Sequence, residues 1–165
     1  PFLTQLAARN FHQIGIAASN VQGGPLELAT VNATMRGVHI TSGFNGATVD
    51  QISGSALVTF AGLSNATGLG DGIKLSDAGR GELKVTLNLG PLSTDALAQV
   101  FRAGPDKIEV RIVSASDLPV SALGNHQEFT FTVPKLPAGM TIGNVSVTAA
   151  GVQISISGSH TSFSQ

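Results

Sequence analysis

The sequence contains no cysteine, no tryptophan and no tyrosine, and only 12% of its 165 residues are charged. The missing cysteine excludes a disulfide framework, a thiol nucleophile and a thiolate metal site. The missing Trp and Tyr leave a membrane barrel without its aromatic girdles and a nucleic-acid platform without rings on which bases stack. Nine basic residues against ten acidic ones give a net charge of −1, so the molecule as a whole has no general attraction for phosphate. No apolar run approaches the roughly 20 residues of a membrane-spanning helix. Disorder is excluded from the other side, because 42% of residues are apolar and the net charge is close to zero. Twenty Gly and many Ser and Thr supply the polar surface, while eight Phe supply the aromatic content.

Signatures of catalysis and metal binding are also missing. There is no Gly-x-Ser-x-Gly elbow to activate a serine. His12, His39, His126 and His160 do not fall into a metal-ligand spacing, so neither a metal nor a catalytic residue is expected. Gly68-Leu-Gly-Asp-Gly72 has its third glycine one residue early for a dinucleotide loop, and a strand pattern follows it where a helix would be needed. No cofactor is implied. Length places the chain as one domain over 1–165, large enough for a buried core. The sequence opens at Pro1, and any export or anchor segment is expected upstream of it.

What is present is period-two alternation. Leu83, Val85, Leu87 and Leu89 oppose Lys84, Thr86 and Asn88, the pattern of a half-buried strand. Phe129, Phe131 and Val133 repeat it over 127–133, and Ile108, Val110 and Ile112 over 107–113. Ile73–Ser76, bracketed by Asp71-Gly72 and the turn at 77–81, is expected to pair with 82–89. Residues 142–148 and 151–157 read as a hairpin. Residues 11–22 and 26–41 read as long strands, the second with a bulge near Ala29–Thr30 that brings Leu28 and Val31 onto one face. Short helices are expected over 2–9 and 57–66. Residues 94–102 carry an N-cap-like Thr94-Asp95, but their place in the chain favours a strand beside 107–113. The whole is expected to be mostly β, an α+β chain with one or two short helices.

The alternating strands make a continuous apolar face. It can serve as an ordinary core, or as the concave side of a curved sheet that holds acyl chains. In the second case each buried CH₂ contributes about 0.8 kcal/mol without any charged contact. Phenylalanine suits such a lining, since it offers large apolar area with no polar tip to satisfy.

Several segments, in order along the chain, resemble a known family. Phe2-Leu-Thr-Gln5 resembles its opening, and Met35-Arg-Gly-Val-His-Ile40 a strand with an Arg-Gly-Val element. Gly54-Ser-Ala-Leu-Val-Thr-Phe60 is similar to its Gly-x-Ala-x-Val-x-aromatic segment, and Gly72-Ile-Lys-Leu-Ser-Asp-Ala-Gly79 to its hairpin. Phe131-Thr-Val-Pro-Lys-Leu-Pro137, followed by Gly151-Val, resembles its closing strands. The family is the actinobacterial LmeA-like phospholipid-binding family of cell-envelope proteins. Residues 94–107 depart from its pattern.

The resemblance implies an elongated, strongly twisted antiparallel sheet like that of tubular, BPI-like lipid-binding domains. It implies a non-enzymatic protein outside the cytoplasmic membrane that binds phospholipid of the phosphoinositide type, meets a membrane surface, and supports synthesis of envelope lipoglycans such as lipomannan. By residue type and placement, the expected acyl lining is Phe2, Leu6, Phe11, Met35, Phe44 and Phe60 in the first part of the chain. Leu63, Phe101, Phe129, Phe131 and Met140 continue it. Lys74, Lys84 and Lys135 are expected at the headgroup. Two other readings compete. One is a structural β-domain joining envelope proteins, with a filled core and an exposed apolar edge. The other is an enzyme whose His39 or His126 joins Asp and Ser in a cleft.

Overall fold

A computed structural model describes residues 5, 8–22, 26–43, 45–133 and 139–164. The helix expected over 2–9 falls mostly outside them. Among the described residues, ten strands form two antiparallel sheets of five. The first sheet joins β1 (Asn10–Gln22), β2 (Glu27–Ile40), β3 (Gly46–Val58), β10 (Gly151–Ser164) and β9 (Met140–Thr148), in that spatial order. The second runs consecutively through β4 (Ile73–Gly79), β5 (Glu82–Leu89), β6 (Leu92–Arg102), β7 (Lys107–Ala115) and β8 (Glu128–Thr132). A short helix, α1 (Phe60–Ala66), leads from one sheet to the other. The Thr59 hydroxyl caps it by accepting from the Gly62 N–H at 3.1 Å.

The mostly-β class is as expected, but the strands divide between two sheets. The bulge in β2 is where the alternation places it, between Leu28 and Thr30. Residues 94–102 are strand: Thr94, Ala96 and Ala98 are buried between flanking strands that offer a full set of ladder partners. Helix over 57–66 is shorter than expected, since Leu57 and Val58 finish β3. The β4–β5 and β9–β10 hairpins both form. In the first, Arg80 and Gly81 at φ 58° and 78° make the two-residue turn that suits strand twist.

Residues 46–58 had no clear strand signature, yet they form β3, a central strand of the first sheet. Gly, Ala, Ser and Thr dilute its pattern, and its buried positions change parity between Val49 and Ile52. That change is shared. The pairings omit the rung His12–Gly37–Asp50–His160 without altering the register on either side. Gly37 and His160 adopt φ 62° and 49° there. All four strands therefore turn over together, and the apolar residues on both sides of the line stay on one face.

Gly37 is required at this line for two reasons. Its φ is left-handed, and a Cβ would land on the Asp50 carboxylate. Gly37→Ala is expected to cost about 1–2 kcal/mol. For a domain of this size that lowers the melting temperature by about 2–8 °C, which thermal unfolding by circular dichroism measures.

The two sheets pack over one large core. Leu28, Ala56, Val58, Val152, Ile154 and Ile156 come from the first sheet, Leu83, Val85, Leu87, Ile108, Val110 and Ile112 from the second. Leu63 of α1 is fully buried beside them.

An apolar sheet face that outruns the core

β2 and β10 each have 14 residues, so at roughly 3.4 Å per residue they extend about 47 Å. The core against the second sheet uses only part of that length. Following the pairings across the first sheet, successive inner rungs are Val21–Leu28–Val58–Val152 and Ala18–Val31–Ala56–Ile154. Then come Ile16–Ala33–Gly54–Ile156, Ile14–Met35–Ile52–Gly158 and Phe11–Val38–Val49–Thr161. Every rung but the last is made only of Ala, Gly, Val, Leu, Ile and Met, and the last only adds Phe11 and Thr161.

The first two rungs belong to the core. The last two form a separate cluster, in which Met35, Val38, Val49 and Ile52 are buried and Phe11, Ile14, Ala33, Ala47, Met140 and Phe163 pack against them. All of these residues stand on the first sheet. The Ile16–Ala33–Gly54–Ile156 rung joins the two clusters: Ile156 belongs to the core and Ala33 packs on the second cluster, while Ile16 on the edge strand is 46% exposed. Gly54 offers no side chain, and a Cβ there would strike the Asn32 carbonyl and Ala33.

Thr161 is the one polar member of the inner face. It is fully buried, and its hydroxyl has no partner among the described residues. A buried unpaired hydroxyl costs about 1–3 kcal/mol. Thr161→Val keeps the shape and removes that cost, so a rise in melting temperature of a few degrees is expected in thermal unfolding.

The opposite face of the same sheet is polar. A hollow of about 650 Å³ runs across β1, β2 and β3, lined by Ile16, Ala33 and Gly54 and by the residues on either side of them in each strand. Beyond it His39 Nδ1 lies 2.7 Å from Asn10 Oδ1 and His39 Nε2 3.7 Å from Asp50, an exposed tie across β1, β2 and β3.

Charge is segregated between the sheets. Among the strands of the first, only Glu27, Arg36 and Asp50 are charged; β1, β9 and β10 have no charged residue. The second sheet has most of its charges on the face turned away from the core; Asp77 and Arg102, at strand ends, stand instead on the rungs of Leu83 and Ile108. On the outer face Arg111 lies 2.7 Å from Glu109, 2.9 Å from Glu128 and 4.8 Å above the Phe101 ring. Lys84 pairs with Asp95 at 3.2 Å. The Thr86 hydroxyl, donating to Asp95 at 2.7 Å, and then Lys84 hold this carboxyl below its ordinary value. A lowered value stabilises the fold above the ordinary carboxylate range, and the contribution is lost as pH falls through the folded value. Asp95→Asn is expected to melt slightly below wild type at neutral pH and to converge with it in acid, as paired melts across pH will read.

The expected lining residues thus separate. Phe11, Met35 and Met140 meet at the second cluster. Phe60, Leu63, Phe129 and Phe131 join the core between the sheets. Phe101 stands on the outer face of β6 beneath Arg111, away from both. Lys74 and Lys84 lie on that same outer side of the second sheet, Lys84 already paired. Phe2, Leu6, Phe44 and Lys135 fall outside the described residues. Ile14, Ala33, Val38, Val49, Ile52 and Phe163 were missed. Their signal was the four-strand register together with the parity change at Gly37, which no single strand displays.

Two open sheets, with an apolar face running out past the packed core, define a β protein suited to meeting hydrocarbon. The chain belongs to the LmeA-like phospholipid-binding family, whose model matches residues 1–157. Phospholipid is accordingly its ligand class, as the resemblance implies. No curated protein matches the chain, and no solved structure does.

Proposed function

We propose that this protein is a non-enzymatic phospholipid-binding module on the outer side of the plasma membrane. Acyl chains lie along the inner face of the first sheet, from the Ile16–Ala33–Gly54 rung to Phe11 and Val38. The observation that carries this reading is the continuation of that face beyond the core, with half-exposed Ile16 at its centre. Lys74 and Lys84 are on the far side of the second sheet, so burial of methylenes, at about 0.8 kcal/mol each, supplies most of the affinity. A phosphoinositide-type ligand, contact with a membrane surface, and a role supporting envelope lipoglycan synthesis complete the proposal and follow the family resemblance.

Displacement of a fluorescent phospholipid tests it. Phosphatidylinositol is expected to compete better than phosphatidylcholine of the same chain length. Equal competition would remove the headgroup preference and leave the apolar site. Failure of every phospholipid to bind would remove the site itself.

A further inference from the structure

β1 is an edge of the first sheet, and apart from the left-handed turn at Asn20 (φ 53°) it lacks the devices that ordinarily protect such an edge. Edge strands are usually short, charged, or interrupted by proline, because their open N–H and C=O groups recruit other strands. β1 is 13 residues long, Asn-Phe-His-Gln-Ile-Gly-Ile-Ala-Ala-Ser-Asn-Val-Gln, with neither charge nor proline. Among the described residues its only strand partner is β2, and most of its residues are exposed.

The strand is also self-complementary about Ile16. An antiparallel pairing of two copies with Ile16 on the twofold axis sets Ile14 opposite Ala18 and Phe11 opposite Val21, all five on the inner apolar face. It sets Gln13 opposite Ser19 and Asn10 opposite Gln22 on polar positions, and Gly15 opposite Ala17 where both are small. The two places where β1 omits a rung to β2, His12 and Asn20, fall opposite one another in the same register. The segment between them, 13–19, pairs with β2 without interruption. A one-residue slip would place apolar positions against polar ones.

From this edge we infer that the protein forms a symmetric dimer by pairing β1 with β1 of a second copy, centred on Ile16. The two five-stranded sheets become one of ten strands, and the two apolar faces join across the twofold. Ile16, 46% exposed in the single chain, gains its own symmetry mate as a cross-strand neighbour, while the face above the sheet stays open to ligand. The inference rests on the edge strand and not on lipid binding, so the two fail separately.

Sedimentation velocity on lipid-free protein at micromolar concentrations tests it. A species of twice the 16.8 kDa chain mass is expected. Ile16→Lys places two ammonium groups at the axis and is expected to weaken the dimer at least tenfold, with the circular dichroism spectrum unchanged. Because the chain has no cysteine, Ile16→Cys supplies an independent probe that does not depend on the lysine variant folding. Its Cα–Cα separation across a strand pair, about 4.5–5.5 Å, is within disulfide reach. Oxidation is expected to yield covalent dimer from Ile16→Cys and not from Leu97→Cys on the second sheet. A wild-type monomer at 100 μM protein, or equal cross-linking of the two cysteine variants, would overturn the inference.

Discussion

Ala33→Trp will weaken phospholipid binding about a hundredfold while leaving the fold intact. Ala33 lies on the inner face between Ile16 and Gly54, where Ile16 is half-exposed and all three line an open hollow. An indole at this point occupies the path an acyl chain would follow. Displacing three or four methylenes forfeits about 3 kcal/mol, and every 1.4 kcal/mol is roughly a factor of ten in affinity. Ala33 packs at the margin of the second cluster and not in the core between the sheets, so the melting temperature is expected to change by only a few degrees. Titration with a fluorescent phospholipid measures the first effect and thermal unfolding the second. Unchanged affinity in the folded variant would place the acyl chains elsewhere.

The largest loss of stability is expected from Leu83→Ala. Leu83 is fully buried on β5, beside Ala98 of β6, in the core between the sheets. Truncation removes three carbons from a close-packed site and leaves a cavity, at a cost of about 2–5 kcal/mol. For a domain of this size the melting temperature falls by about 4–20 °C. The contrast with Ala33→Trp separates the two parts of the apolar surface: one holds the sheets together, the other is available to ligand. A Leu83→Ala protein that melts like wild type would mean the core assignment is mistaken.

The second sheet was largely legible in the sequence because its strands other than β6 alternate and its first turns are short. Leu83, Val85 and Leu87 announce their face without knowledge of any neighbour. The first sheet was harder for a physical reason. Its four longest strands reverse parity together at Gly37 and its neighbours, and that reversal has meaning only once the strands are paired. β3 shows the limit most clearly. Its inner positions include Gly54 and Ala56, residues with little strand preference of their own, and its place between β2 and β10 decides its conformation.

The candidate site followed the same division. Selecting Phe and Met by type found Phe11, Met35 and Met140 but also drew in Phe101, which packs against Arg111 on the outside. A Phe at an even position of β6 would face the core. Phe101 occupies an odd one, past the irregularity at Leu97–Ala98. The small residues of the central rung, Ala33 and Gly54, escape a search for bulky linings; Gly54 stands there because β2 comes too close for a Cβ.

Native mass spectrometry of the gently purified protein, followed by extraction and identification of any lipid, tests the central claim most directly. The account predicts chains carrying bound phospholipid, with the lipid-bound fraction sharply reduced in Ala33→Trp. Bare 16.8 kDa chains, without lipid in the extract and without uptake after incubation with phospholipid vesicles, would contradict it.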